Sequence, residues 1–226
     1  MKVKTGLRAW LISMALVYAT LQTGYADTGD FAIGVGPGTM GLTADTSVGI
    51  FSQFNARFGI NTFNFDLETS QNDISYDLDV KLLSFPVLLD WHPFENSGFR
   101  ISTGLVINKN KADVSSVPQS SYTIGDTEYT AAELEDLSGK LAFDTLAPYL
   151  GIGWGNPLGK DTHWTFICDL GVVFQGETDL SLTARGPITS DPTFQSDLEQ
   201  ERRDLEDELE DYRYYPVVSV GVSYKF

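Results

Sequence analysis

The chain has 226 residues, a formal net charge of −16 and a single cysteine, Cys168. So acidic a chain is a poor match for nucleic acid or for direct attraction to anionic headgroups. A lone cysteine excludes a disulfide framework and a cysteine-based metal site.

Lys2, Lys4 and Arg8 form a basic start, an apolar run follows from Ala9 to about Leu21, and Gly24-Tyr25-Ala26 ends it with small residues. This is the pattern of a secretory signal peptide over residues 1–26, too short to span a bilayer as an anchor. No cysteine follows the expected cut, which excludes a lipoprotein. The segment carries three basic and no acidic residues, so residues 27–226 are more acidic still. Beyond it, 18 continuous apolar residues never occur, and no membrane-spanning helix is expected.

The rest reads as strands. A short first strand is expected at Phe31–Gly36, followed by a tight turn at Gly36-Pro37-Gly38. Met40–Ile50 and Phe54–Phe65 come next. Ile74–Trp91 is a long strand whose alternation changes phase near Leu83–Phe85, as a bulge would cause. Phe99–Ile107, Leu146–Gly155 and His163–Gln175 alternate apolar and polar positions. At the end, Tyr214, Pro216, Val218, Val220, Val222, Tyr224 and Phe226 fall on one face, with Val217, Ser219, Gly221, Ser223 and Lys225 on the other. Period-two alternation of this kind puts one face in hydrocarbon and the other in a polar interior.

These are eight strands, the smallest common number for a transmembrane barrel. Short connections fall at Phe51-Ser52-Gln53, His92–Gly98 and Asn156–Thr162; long ones fall at Asn108–Thr145 and Gly186–Arg213. With both chain ends in the periplasm, the short turns lie there and the long loops lie outside. Outward aromatics near strand ends, Phe31, Phe54, Phe99, Trp154, Trp164, Tyr224 and Phe226, suit the two membrane interfaces. A soluble β-sandwich also alternates, but it has no reason to end on Tyr224 and Phe226.

Inward positions include Asp45, Arg57, Asp79, Lys81, Arg100 and Asp169, interspersed with glycines. An eight-stranded barrel barely holds its own side chains, and charges inside it must be paired. Three acids against three bases therefore predict a salt-bridged lumen with no open channel.

Two long connections stand out. In the first, Thr130-Ala131-Ala132-Glu133 has capping-box spacing, and Gly139 would end a helix over Thr130–Ser138. In the second, Ser196 and Glu199 have the same spacing and open an acidic helix over Ser196–Asp211. Its carboxylates are Asp197, Glu199, Glu201, Asp204, Glu206, Asp207, Glu208, Glu210 and Asp211, set against Arg202 and Arg203. Leu198, Leu205, Leu209 and Tyr212 form its apolar side. Such an oxygen-rich surface suits divalent cations that bridge to lipopolysaccharide phosphates. No calcium-loop motif is present, and no cofactor or metal site is expected.

Nothing reads as catalysis. The two histidines, His92 and His163, lie at short turns with no serine within two residues; the nearest arrangement is His92, Glu95 and Ser97. Hydrolysis of outer-leaflet lipid would need them at the other rim.

The hallmarks (signal peptide, paired alternating strands, long outer loops, the closing Y-P-V-V-S-V-G-V-S-Y-K-F) resemble those of the small bacterial outer-membrane β-barrel superfamily. That superfamily includes opacity-type adhesins and the barrel domain of OmpA. Within it, L-D-W-H-P-F, A-P-Y-L-G-I-G-W-G and the acidic helix before Tyr214-Tyr215-Pro216 are similar to an uncharacterised proteobacterial subgroup. The resemblance implies an integral outer-membrane protein of a Gram-negative envelope. It implies Tyr224 and Phe226 as the signal read by the barrel assembly machinery, and membrane lipid as partner. It implies no reaction. Two roles follow: an envelope-structural or surface-interaction protein working through its loops, or a narrow porin-like channel for small or apolar solutes.

Overall fold

Eight strands close on themselves. In the computed structural model, which describes residues 27–226 except 72–73, 96, 117–120, 126, 161–162 and 177, these are β1 (Phe31–Gly38), β2 (Gly41–Phe51), β3 (Phe54–Gln71), β4 (Ile74–Trp91), β5 (Phe99–Asn108), β10 (Leu146–Trp154), β11 (Trp164–Phe174) and β13 (Tyr214–Lys225). Neighbours pair antiparallel in that order, and β13 returns to β1 with Val222 opposite Val35. Closure leaves the ring without a free edge, which a strand in hydrocarbon requires. The signal-peptide reading of residues 1–26 lies outside the described residues. No described helix is long and apolar enough to cross a membrane.

Alternation sets the two faces. Ile33, Val35, Phe58, Val87, Leu105, Leu150, Phe166, Leu170, Val218 and Val220 stand exposed on the outside. Asp45, Ser47, Asn55, Arg57, Asp90, Arg100, Ser102, Thr165 and Asp169 are buried within. At the rim holding the chain ends, Phe31 stacks on Phe226 at 5.0 Å, and Tyr224 meets Trp164 edge-on at 4.9 Å. The three short connections lie at this rim.

At the opposite rim the wall is uneven. β13, β1 and β2 stop there, whereas their partners continue outward. β6 (Lys111–Ser116), β9 (Asp136–Phe143) and β12 (Thr178–Arg185) prolong β5, β10 and β11 and pair with the outer half of β4 in the order β4–β6–β9–β12. A separate hairpin, β7 (Ser121–Ile124) with β8 (Thr127–Thr130), and the helix α1 (Pro192–Glu208) pack on this extension.

The extension corrects several expectations. The first long connection, Asn108–Thr145, is largely strand: β5 runs into β6 across a bend at Lys109–Asn110, and Ser84↔Asn108 and Lys81↔Lys111 keep one register. No helix forms over Thr130–Ser138. Glu133 does bond back to Thr130, its Oε2 accepting from Thr130 N–H and Oγ1 at 3.0 and 2.7 Å, but the two close a single turn before β9. Gly139 lies inside that strand, opposite Val114 and Leu182. The first strand runs through Gly36-Pro37-Gly38, with the turn at Thr39–Met40. β4 carries no bulge against β3, since Phe58↔Val87 and Asn61↔Ser84 share one register. The phase change there is one of hydropathy alone.

The helix begins four residues before Ser196. Asp191 is its N-cap, accepting from Thr193 N–H at 2.8 Å and Phe194 N–H at 3.2 Å, and Pro192 takes the first helical position. An aspartate followed by proline is a stronger start than a serine already inside a helical run. Phe194 is its anchor, 1% exposed and edge-on to Tyr129 at 5.0 Å; Ile124 and Leu134 complete the small core, with Leu137, Ala184 and Leu198 against it. Of the expected apolar side, Leu198 is used and Tyr212 stays exposed.

Candidate functional site

Among the described residues, the lumen is where buried charged side chains converge. β3 sends Arg57 inward and β4 sends Asp90. β5 supplies Arg100 and Ser102, β11 supplies Asp169, and β13 supplies Ser219. Arg57 is the hub. Its Nη2 donates to Asp90 Oδ1 at 2.9 Å and to Ser102 Oγ at 3.2 Å, its Nε lies 2.9 Å from Asp90 Oδ2, and its Nη1 donates to Asp169 Oδ2 at 3.2 Å. Arg100 Nη2 donates to Asp169 Oδ1 at 2.8 Å, and its Nη1 to the Gly155 carbonyl. Ser102 Oγ closes the set on Asp90 at 2.5 Å, and Ser219 reaches Asp169 at 3.3 Å. Five strands are thus tied across the barrel by charge-assisted bonds, the strong kind.

Glycines make the room. A Cβ on Gly153 would strike the Arg100 guanidinium, and one on Gly34 would strike the Asp45 carboxylate. Gly151 and Gly171, opposite each other on β10 and β11, let the Tyr149 ring lie flat across both. Tyr149 then joins Leu88, Val106, Ala147, Val173 and Val217 in an apolar layer on the side of the charges toward the extended rim. On the other side Asn55 and His92 meet at 3.2 Å. Cavities of about 50 and 20 Å³ remain beside Asp45, Arg57 and Asp169.

Asp45, Arg57, Arg100 and Asp169, four of the six residues read from the sequence as lumen charges, are brought together. Asp79 and Lys81 are not. They sit 2.6 Å apart on the outer face of the extension, with half-exposed side chains. Asp90 takes the place expected of them. The parity that put Lys81 inward was carried along β4 with a bulge that does not exist; a constant register would have turned Asp90 in and Lys81 out. Among the described residues the buried carboxylates and guanidiniums are therefore three aspartates against two arginines. Asp45 is the one left over: its Oδ1 has no hydrogen-bond partner among the described residues.

Two acids of α1 hold the hairpin. Asp197 accepts from Tyr129 Oη at 2.7 Å, and Glu201 accepts from the Gly125 N–H at 2.9 Å. Arg202 spans Glu199 at 2.7 Å and Glu206 at 2.5 Å, and its hydrogen bond holds the Glu199 carboxyl below the usual range. Asp204 and Asp207 face solvent; the side chains of Glu208, Glu210 and Asp211 lie outside the described residues. Among the described residues no group of three or more candidate metal ligands occurs. His163 stacks on Tyr224 at 5.6 Å and lies with Nδ1 3.0 Å from the Lys225 carbonyl, an interface position.

No family model matches the chain, and no curated protein matches it in sequence. Solved structures do. The chain is similar to Acinetobacter baumannii CarO, with a TM-score of 0.57 and 19% identity over 88% of this chain and 98% of that one. It is similar to Acinetobacter baumannii CarO2 with a TM-score of 0.58 and 19% identity over 91% and 99%. A major outer membrane protein from Thermus thermophilus aligns at 0.43 and 12% identity over 87% and 98%. At such identities the two CarO likenesses carry the fold, a closed eight-stranded antiparallel barrel, and nothing of the reaction or ligand.

Proposed function

We propose that the chain is a non-enzymatic integral outer-membrane barrel whose lumen is sealed and whose working surface is the sheet-and-helix platform beyond one rim. The observation that carries this reading is the Arg57–Asp90–Ser102–Arg100–Asp169 cluster. Guanidinium and carboxylate groups from four strands meet across the barrel, and the Tyr149 layer sits over them. Breaking such a cluster to admit a solute strands charge in a confined space, at about 3–5 kcal/mol per partner removed. The platform is the part whose polar surface is free to meet partners outside the cell. Residues 1–26 are its export signal, and Tyr224 and Phe226, packed on Trp164 and Phe31 at the other rim, are what the assembly machinery reads.

Purified protein in planar bilayers tests the seal. The expected result is a quiet membrane at neutral pH; steady, reproducible openings would defeat it. Protease treatment of intact cells tests the sidedness, with cleavage at Arg202–Arg203 expected without lysis.

A second reading, passage of small apolar solutes, rests on a groove of about 500 Å³ where the short wall meets the extension. Phe63, Phe65, Val80, Leu82, Leu42 and Tyr215 line it. It would be favoured if an apolar dye bound there were delivered across liposomes bearing the protein.

A further inference from the structure

Residues 27–226 contain six lysines, and four of them, Lys81, Lys109, Lys111 and Lys140, belong to the extension. Register places these on its outer face. Asn61 and Ser84 point into the barrel, so Asn64 and Lys81 point out; Lys81 stands directly opposite Lys111, and Lys111 opposite Ala142. Lys109 lies at the bend between β5 and β6, its Nζ 5.9 Å from the centre of the Phe85 ring. All four lysines are exposed. The other two, Lys160 and Lys225, sit at the far rim, paired with Asp27 at 3.4 Å and Asp30 at 2.7 Å.

Height along the strands matters as much as direction. Ile107 and Leu146 are the last exposed apolar residues of the outer wall on this side. Lys109 follows Ile107 by two residues, roughly 7 Å farther out at strand rise. The lysines therefore begin where the hydrocarbon-facing band ends, at headgroup level. Like charges directly opposite in a sheet are destabilising. Asp79 at 2.6 Å relieves Lys81, but no ion pair serves Lys109 or Lys111 among the described residues. The acids of this face, Asp66, Asp79 and Asp113, form the next row out with Lys140, and Asp179 lies beyond Ala142. Between the lysines is a depression of about 620 Å³ whose lining also includes Asn64, Asn110, Leu83 and Phe143. It is cationic and hydrogen-bonding on one side and apolar on the other.

We infer that this patch binds the phosphorylated sugar headgroup of an outer-leaflet glycolipid, with Lys81, Lys109 and Lys111 on the phosphate and Leu83 and Phe143 against the start of an acyl chain. The inference rests on the outer-membrane reading above. It differs from a cation bridge through α1, because the contact is direct and lies on the opposite side of the sheet.

The full chain without residues 1–26, folded in nanodiscs, is titrated with bis-phosphorylated lipid A, with the same lipid after phosphatase treatment, and with phosphatidylglycerol. Folding is monitored by heat-shifted gel migration. Wild type is expected to bind the bis-phosphorylated form about tenfold more tightly than either other lipid, since each lysine near a charged membrane surface is worth roughly fivefold. The Lys81→Gln/Lys109→Gln/Lys111→Gln variant should lose that preference while still showing the heat shift, and Lys160→Gln should keep it. Equal binding of all three lipids by wild type, or an unchanged preference in the triple variant, overturns the proposal and leaves the barrel reading standing. A chain that stays water-soluble without detergent and shows no heat shift overturns the barrel reading itself.

Discussion

The two halves of β4 face opposite worlds on one unbroken register. From Phe85 to Trp91 the outward residues are Phe85, Val87, Leu89 and Trp91, while Ser84 and Asp90 point in and are buried. From Asp79 to Leu82 the outward residues are Asp79 and Lys81, and Val80 and Leu82 point in. The backbone does not change between them; the surroundings do. An apolar outside and paired charge inside give way to a charged outside and apolar packing inside. On the outer-membrane reading proposed above, the point where hydropathy inverts without a bulge would mark the membrane boundary.

The barrel half is most sensitive at its hub. Arg57→Ala leaves Asp90 buried without its main partner and Asp169 with Arg100 as its one ion-pair partner among the described residues, and the expected cost is about 3–5 kcal/mol. Urea titration in detergent micelles, read by heat-shifted migration, should show a lower midpoint for the whole barrel. An unchanged midpoint would mean that the lumen charges are solvated, and the seal would fall with them.

The platform half should fail alone. Phe194→Ala removes the anchor of α1 from a core of four buried residues, at about 3 kcal/mol. Cleavage at Arg202–Arg203 should speed up several-fold while the heat shift stays unchanged. Loss of the barrel together with the platform would join two units that the comparison treats as separate.

Placing a charge on each half sharpens the boundary. Leu150 is exposed at the middle of β10, and Leu150→Arg should cost about 2–4 kcal/mol in a bilayer. Ser181, exposed and outward on β12, is the matched control, and Ser181→Arg should stay within about 0.5 kcal/mol. The measurement is folded yield into vesicles.

How far the sequence speaks follows the same divide. Ring strands were legible because each turns apolar residues outward and polar ones into the lumen, which makes alternation strong; β4 runs Ile74–Trp91 as its pattern says. In the platform, strands such as Lys111–Ser116 carry short apolar residues on one face and charges on the other, much as loops do, so β6 to β9 looked like a connection. Thr130 and Glu133 show the limit of local signals: the pair does bond, but eight residues of strand pairing with β12 and five with β6 outweigh one turn of helix. Arg57, Arg100, Asp45 and Asp169 followed from parity. Asp90 was missed because the hydropathy inversion was taken for a change of backbone phase.

The smallest expected effect is a pH dependence confined to the platform. Asp191 caps α1, and its hydrogen bonds from Phe194 N–H and Thr193 N–H hold its carboxyl below the ordinary 3.8. The folded pKa is depressed, so the stabilisation is fully present above the unfolded value. It is lost as pH falls from 3.8 through the lower folded one. Acidification through that window should raise the rate of cleavage at Arg202–Arg203 by an acid-active protease. Asp191→Asn, which keeps the acceptor and removes the titration, should flatten that slope while preserving the helix. The lumen carboxylates lie behind the ring and do not contact this cap, so barrel migration should not move over the same interval. A parallel shift in both readouts would show that the two halves exchange strain through β9 and β12 and are not independently stable.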